Sequence, residues 1–169
     1  MSTHVTKESP SVIWPKIERA HIGMFTTRDE YGHLVSHPMT NQQIDQEGVL
    51  WFFASDRSPI AHNISLNPEV NVSFVRHDEN LYVSVSGYAE EIKDHAKIKE
   101  MWSSELGTWL PEGEDDPHVS LIKVTVHAAE YWDVDANKMM QLFKLAKALV
   151  VGNAPAAEPS AHGKVILNS

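Results

Sequence analysis

The chain has 169 residues, 42% of them hydrophobic, with a formal net charge of −9 and no cysteine. That length suits one domain around a single core. Without cysteine there is no disulfide framework, thiolate metal site or thiol nucleophile, and the excess of acid argues against nucleic acid, whose phosphates need clustered Lys and Arg.

Residues 1–10 are polar and read as a flexible arm lacking the apolar run of a signal peptide. Ser11 to Ala20 predicts a short helix with Ser11 at the N-cap, Pro15 in the first turn, and Val12, Ile17 and Ala20 facing inward. Three strand-like runs follow, Ala20–Thr27, Gly32–Thr40 and Gly48–Ser55. They are separated by the polar breaks Asp29-Glu30-Tyr31-Gly32 and Asp45-Gln46-Glu47-Gly48. Breaks that short join antiparallel neighbours, because a parallel crossover needs a dozen residues or more.

Ser58 and Pro59 open a helix to about Leu66, and Asn67-Pro68 stops it. Val70, Val72 and Phe74 alternate with Asn71 and Ser73, a polar turn spans His77–Asn80, and Leu81, Val83 and Val85 alternate with Tyr82, Ser84 and Ser86. That is a second hairpin. Gly87, inside its long second strand, predicts a bulge or a close backbone approach. Asp94 caps a helix to about Leu106, an acidic Pro/Gly-rich loop covers Trp109–Pro117, and Val119–Val134 is the last long strand. An amphipathic helix over Asn137–Val151 ends at Gly152, and the Ala/Pro-rich residues 153–169 read as a mobile tail. The domain proper is therefore expected over 11–152. It is mainly β with flanking helices, an α+β fold whose six or so antiparallel strands suggest a small closed or split β-barrel.

Three clusters of residues could carry chemistry. Ser36-His37-Pro38-Met39-Thr40 lies near the end of the second strand. Leu50 to Pro59 is a strand running straight into a helix N-terminus, where free N–H groups and partial positive charge can hold a phosphate. There Ser58, Ile60 and Ala61 are candidate donors and Arg57 and His62 candidate cations, whereas Trp51, Phe52 and Phe53 read first as core. Glu130-Tyr131-Trp132-Asp133 closes the final strand, and Trp132 could either stack on a flat ring or plug the barrel end. The ten histidines are scattered without metal-ligand spacing, so no metal site is expected.

The order of these segments resembles the general stress protein branch of the pyridoxamine 5′-phosphate oxidase-like, FMN-binding split barrels. The resemblance runs from about Trp14 to Gly152. It rests on His37-Pro38-Met39, Leu50-Trp51-Phe52-Phe53, Ser58-Pro59, Asn67–Val72, Tyr82–Gly87, Trp109–Gly113, Asp115-Asp116-Pro117 and Ala129–Asp133.

The resemblance implies a six-stranded antiparallel split β-barrel working as a homodimer, with two FMN sites at the subunit interface, each lined by both chains. His37, Pro38, Met39 and Thr40 would border the flavin ring and ribityl chain. Phe53, Ala54 and Ser55 would lie along the ring edge and tail, with Ser58 to Ile60 near the phosphate. Trp132 would contact the flavin, and Trp109 with its loop would cover the site from the other subunit. Many relatives carry Arg where this chain has His37 and Lys where it has Ile60, both used on the phosphate; Arg57 or the helix N-terminus is the available substitute. The oxidase's own substrate grip has at best Lys138 as a counterpart, and Leu142 stands where another Arg would be, so true pyridoxamine phosphate oxidase chemistry is not expected. Three functions remain open: a flavin-dependent oxidoreductase, a non-enzymatic flavin-binding stress protein, or the same barrel holding a deazaflavin or haem.

Overall fold

A computed structural model describes residues 10–45, 47–133 and 162–166. The expected helix over 137–151 lies outside the described residues, as does almost all of the expected arm over 1–10.

Helix α1 (Trp14–Ala20) is preceded by a 3-10 turn over Pro10–Val12. Its N-cap is Ile13, not the expected Ser11, which corrects the inward-facing set. Ile13 and Ile17 are fully buried and Val12 is exposed. Pro15 sits in the first turn, where its missing N–H costs no helical bond. His21 ends the helix with a positive φ of 56°, so strand β1 begins at Ile22.

Strands β1 (Ile22–Arg28), β2 (Leu34–Ile44) and β3 (Val49–Ser55) form an antiparallel meander. Its two turns share one device. Asp29 accepts hydrogen bonds from the N–H groups of Tyr31 (2.9 Å) and His33 (2.8 Å). Asp45 accepts from those of Glu47 (3.0 Å) and Val49 (2.9 Å). In each turn the aspartate substitutes for a backbone acceptor, and a glycine, Gly32 or Gly48, supplies the positive φ that lets the chain return.

Helix α2 (Pro59–Leu66) leads to the hairpin of β4 (Glu69–Arg76) and β5 (Leu81–Ile92). Helix α3 (His95–Met101) is capped by Asp94, which accepts from the N–H groups of Ala96 and Lys97. It stops short of the expected Leu106: the chain turns extended at Trp102 and resumes as a 3-10 turn over Ser104–Thr108. Strand β6 (Val119–Asp133) pairs with β5 along its length and with β3 through Val49↔Thr125 to Ser55↔Val119. That pairing closes a six-stranded antiparallel barrel, β3-β2-β1-β4-β5-β6.

One segment of the expected tail is structured. His162–Ile166 forms β7, antiparallel to β6 from Trp132↔His162 to Ala128↔Ile166, with Val165 buried. Ala/Pro-rich composition hid a short strand whose partner is the second half of β6.

Alternation along the strands builds the barrel interior. Phe25, Leu50, Phe52, Val72, Phe74, Val83, Val85 and Ile122 are almost fully buried, each contributing about 1.5–3 kcal/mol of apolar transfer free energy. Phe25 meets Phe52 edge to face at 5.2 Å, an orientation favoured by the ring quadrupoles. A second, smaller cluster lies outside the barrel, where Phe53, Leu121 and Val119 pack against Ile98 and Leu106. Gly87 sits at a register shift between β5 and β6, and a Cβ there would come within 2.5 Å of the Thr125 carbonyl oxygen. No helix among the described residues is long and apolar enough to cross a membrane.

Candidate cofactor site

The barrel is split on one side. β2 and β3 pair only at Asn41↔Phe52, Gln43↔Trp51 and Ile44↔Leu50, with an irregularity between Asn41 and Gln43. Towards His37 the two strands part. Pro38 has no N–H to donate, and β2 there pairs with β1 alone, through Phe25↔His37, Met24↔Pro38, Gly23↔Met39 and Ile22↔Thr40. On the other side of the gap, Phe53 and Ala54 pair only with β6.

A cleft of about 380 Å³ opens at this gap. One wall is the β2 segment His37, Pro38, Met39 and Thr40; Phe53 and Ala54 of β3 and Ser58 and Ile60 of α2 form the next; Trp109 stands on the rim of its own chain's cleft, not across a subunit interface as expected. Ser55, Arg57 and Trp132 lie outside it. Ser55 accepts a hydrogen bond from the Arg57 N–H at 3.2 Å, and the Arg57 side chain is exposed. Trp132 is in register between Tyr82 of β5 and His162 of β7. Its neighbour Tyr131 is in the barrel core under the Lys16 ammonium, 4.7 Å from the ring centroid, and Lys16 also pairs with Asp133. The strand-end cluster therefore ties α1 to the barrel within this chain.

Ile22, Gln42, Pro59, Leu106 and Leu110 also line the cleft. Ile22 and Gln42 enter through strand register, which a single sequence does not reveal. Leu106 and Leu110 flank Trp109 at a spacing of four, an apolar pair beside an acidic loop that could have signalled a wall. The Leu106 carbonyl accepts from the N–H groups of both Trp109 (2.9 Å) and Leu110 (2.8 Å), which turns this segment over the opening.

The cleft is mainly apolar, and among the described residues none of its lining side chains is Lys, Arg, Asp or Glu. His37 is its one titratable group, and the buried His37 Nδ1 has no hydrogen-bond partner among the described residues. At the start of α2 the expected donor set is reduced. The Ser58 N–H goes to the Ser55 carbonyl at 2.9 Å, and the Ala61 N–H goes to Ser58 Oγ at 3.2 Å. The Ile60 N–H, which has no helical acceptor in the first turn, and the Ser58 hydroxyl hydrogen remain.

Just before α2, Asp56 closes the turn. Its N–H donates to the His118 carbonyl (2.8 Å), one carboxylate oxygen meets His118 Nδ1 (3.0 Å), and the other meets Lys93 Nζ. The Lys93 ammonium, with a smaller contribution from His118, holds the Asp56 carboxyl below its ordinary range against partial desolvation; Asp56 in turn raises Lys93. Among the described residues no cluster of three or more His, Asp or Glu side chains could hold a metal ion.

A closed antiparallel barrel, split along one seam and opening there into an apolar cleft of small-molecule size, defines the class of protein. The chain belongs to the family described as pyridoxamine 5′-phosphate oxidase like, whose sequence model matches residues 8–156. It is 25% identical over 139 residues to the protein bli-3 of Neurospora crassa, covering 76% of this chain and 66% of that one, just under two thirds of its length.

Among solved structures, the general stress FMN/FAD binding protein of Xanthomonas citri superposes with a TM-score of 0.64 at 26% identity, over 78% of this chain and 93% of that one. A general stress protein 26 from Jannaschia shares the fold at a TM-score of 0.66 and 24% identity, over 92% and 96% of the two chains. The same fold carries an F420 reductase (TM-score 0.56, 23% identity, 68% and 93% covered) and a haem binding protein of Mycobacterium smegmatis (0.57, 15%, 75% and 55%).

Proposed function

We propose that this protein holds FMN in the split-barrel cleft and acts in the cytoplasm, as a homodimer, as a flavin-dependent oxidoreductase. The observation that carries the reading is the cleft itself. Eight of the positions that the family resemblance assigns to the cofactor, His37 to Thr40, Phe53, Ala54, Ser58 and Ile60, line one opening, with this chain's own Trp109 at its rim.

The donor set suits a flavin's two ends unequally. Pro38, Met39, Phe53 and Leu106 offer flat, apolar surface for a ring system, and His37 Nδ1 is a buried polar atom needing a partner. The phosphate end would meet the Ile60 N–H, the Ser58 hydroxyl and the partial positive charge of the α2 N-terminus, with no fixed cation in the cleft wall among the described residues. When bound, FMN supplies the redox chemistry; this chain's part is to orient the ring, exclude water from it and neutralise its tail. The homodimer follows from the same resemblance, and it gives Trp132, which does not line its own chain's cleft, a route to the partner's site.

Purified protein should show flavin absorption and release FMN on denaturation. The bound flavin should be reduced by NADH or NADPH and reoxidised by a quinone or oxygen over many turnovers. A protein that binds FMN but turns over with no donor supports a non-enzymatic stress-related flavin carrier instead. The missing fixed cation favours one further reading, a deazaflavin or haem in the same cleft, as the F420 reductase and haem binding relatives suggest. Uptake of either by a protein that refuses FMN would establish it.

A further inference from the structure

Four polar side chains are buried among the described residues: Thr27, Asn41, Asn63 and Ser120. Thr27 and Asn63 satisfy each other: the Asn63 Nδ2 amide donates to Thr27 Oγ1 at 2.9 Å. Asn63 is 4% exposed and Thr27 1%, so water does not compete for this bond.

The bond joins helix α2 to strand β1. Asn63 lies on α2, whose first turn carries Ser58 and Ile60 into the cleft. Thr27 lies on β1, directly opposite Val35 of β2. The same ladder continues through Phe25↔His37 and Gly23↔Met39 to the other wall of the cleft. The remaining buried contacts of α2, from Ile60, Ala61 and Ile64, are apolar. Apolar burial is non-directional and holds a helix down without fixing its rotation or axial position. A buried amide–hydroxyl bond adds little net stability over an apolar pair of similar shape, but it demands one geometry.

We propose that Asn63, through Thr27, is a positioning residue for the cleft: it sets the rotation of α2, and so the placement of Ser58 and the Ile60 N–H against the β2 wall. This rests on the cofactor reading given above. β-Branched Thr27, with few χ1 choices, is a stiff reference point for the bond.

Replacing both partners tests the idea, because it removes the direction while leaving no unpaired polar group. The double variant Thr27→Val/Asn63→Leu should melt close to the unchanged protein yet bind FMN about tenfold more weakly, since small displacements of positioning groups cost about that much or more. Amide hydrogen exchange at Ile60 and Ala61, measured without ligand, should quicken. Thr27→Ser, which keeps the hydroxyl, should preserve both properties.

A double variant that melts normally, binds FMN as tightly as before and shows unchanged exchange at Ile60 overturns the proposal. If that variant does not fold, Thr27→Ser decides: lost affinity in a normally melting protein contradicts the hydroxyl's role, and retained affinity supports it. If the unchanged protein takes up no FMN, the cofactor reading fails by itself, and the exchange rates at Ile60 and Ala61 still decide the positioning role.

Discussion

His37 stands in the β2 wall of the cleft. Among the described residues it is the one titratable side chain of the lining, and its buried Nδ1 has no partner there. An arginine there would bring a permanent charge and a fork of donors, and a hydrogen bond to a charged group contributes about 1.5–3 kcal/mol. His37→Arg should therefore tighten FMN binding about tenfold or more in a fluorescence titration; unchanged affinity would remove position 37 from the anion-holding set.

Asp56 predicts a pH dependence of stability. Its folded pKa is depressed, chiefly by Lys93, so its contribution is complete above the unfolded-chain value of about 4 and is lost as pH falls through the lower folded value. Lys93 is raised by the same contact, so its contribution holds below about pH 10 and is lost as pH climbs past the raised value. Melting temperatures of Asp56→Asn should accordingly lie below those of the unchanged protein at neutral pH and converge with them in strong acid. A constant gap down to the lowest pH would show that the carboxylate's charge is not the cause.

Among the elements, β5 and α2 are the most sharply constrained. Gly87 leaves no room for a side chain against the Thr125 carbonyl, so Gly87→Ala should cost about 1–3 kcal/mol in a chemical melt, the usual penalty for overpacking. Ser58→Ala removes the α2 cap and should cost about 1 kcal/mol, with a parallel loss of cofactor affinity because the same hydroxyl faces the cleft.

These two elements were also the most legible in the sequence. A glycine inside an alternating strand and a Ser-Pro helix start each have one local physical reading. Other features were set by tertiary packing. α3 ends at Met101 because Trp102 turns to meet Phe53 edge to face at 5.5 Å, which no helical periodicity could announce. The cap at Ile13 in place of Ser11 and the strand His162–Ile166 likewise depend on partners distant in the chain. At the site, strand-borne residues such as His37 and Phe53 followed from motif order. Leu106, Leu110 and Gln42 required knowing where β2 and β3 part company.

At the scale of the whole molecule, the cleft of one chain is well walled but electrically sparse, in a protein of formal net charge −9. In the proposed homodimer a second chain would add to the walls of the site. If Trp132 reaches the partner's cleft, Trp132→Ala should weaken FMN binding while leaving the barrel's melting temperature within a few degrees. Sedimentation should show a dimer when FMN is bound. A monomeric holoprotein, or a Trp132 variant of unaltered affinity, would leave this residue a plug of the β6 end and the site the property of one chain.

Calorimetric titration of ligand-free protein with FMN tests most directly whether the split in the barrel is a flavin site, as proposed. Saturable binding is expected at one FMN per chain, abolished when the gap between β2 and β3 is filled by Ala54→Trp. No heat of binding, or binding indifferent to that substitution, would contradict it.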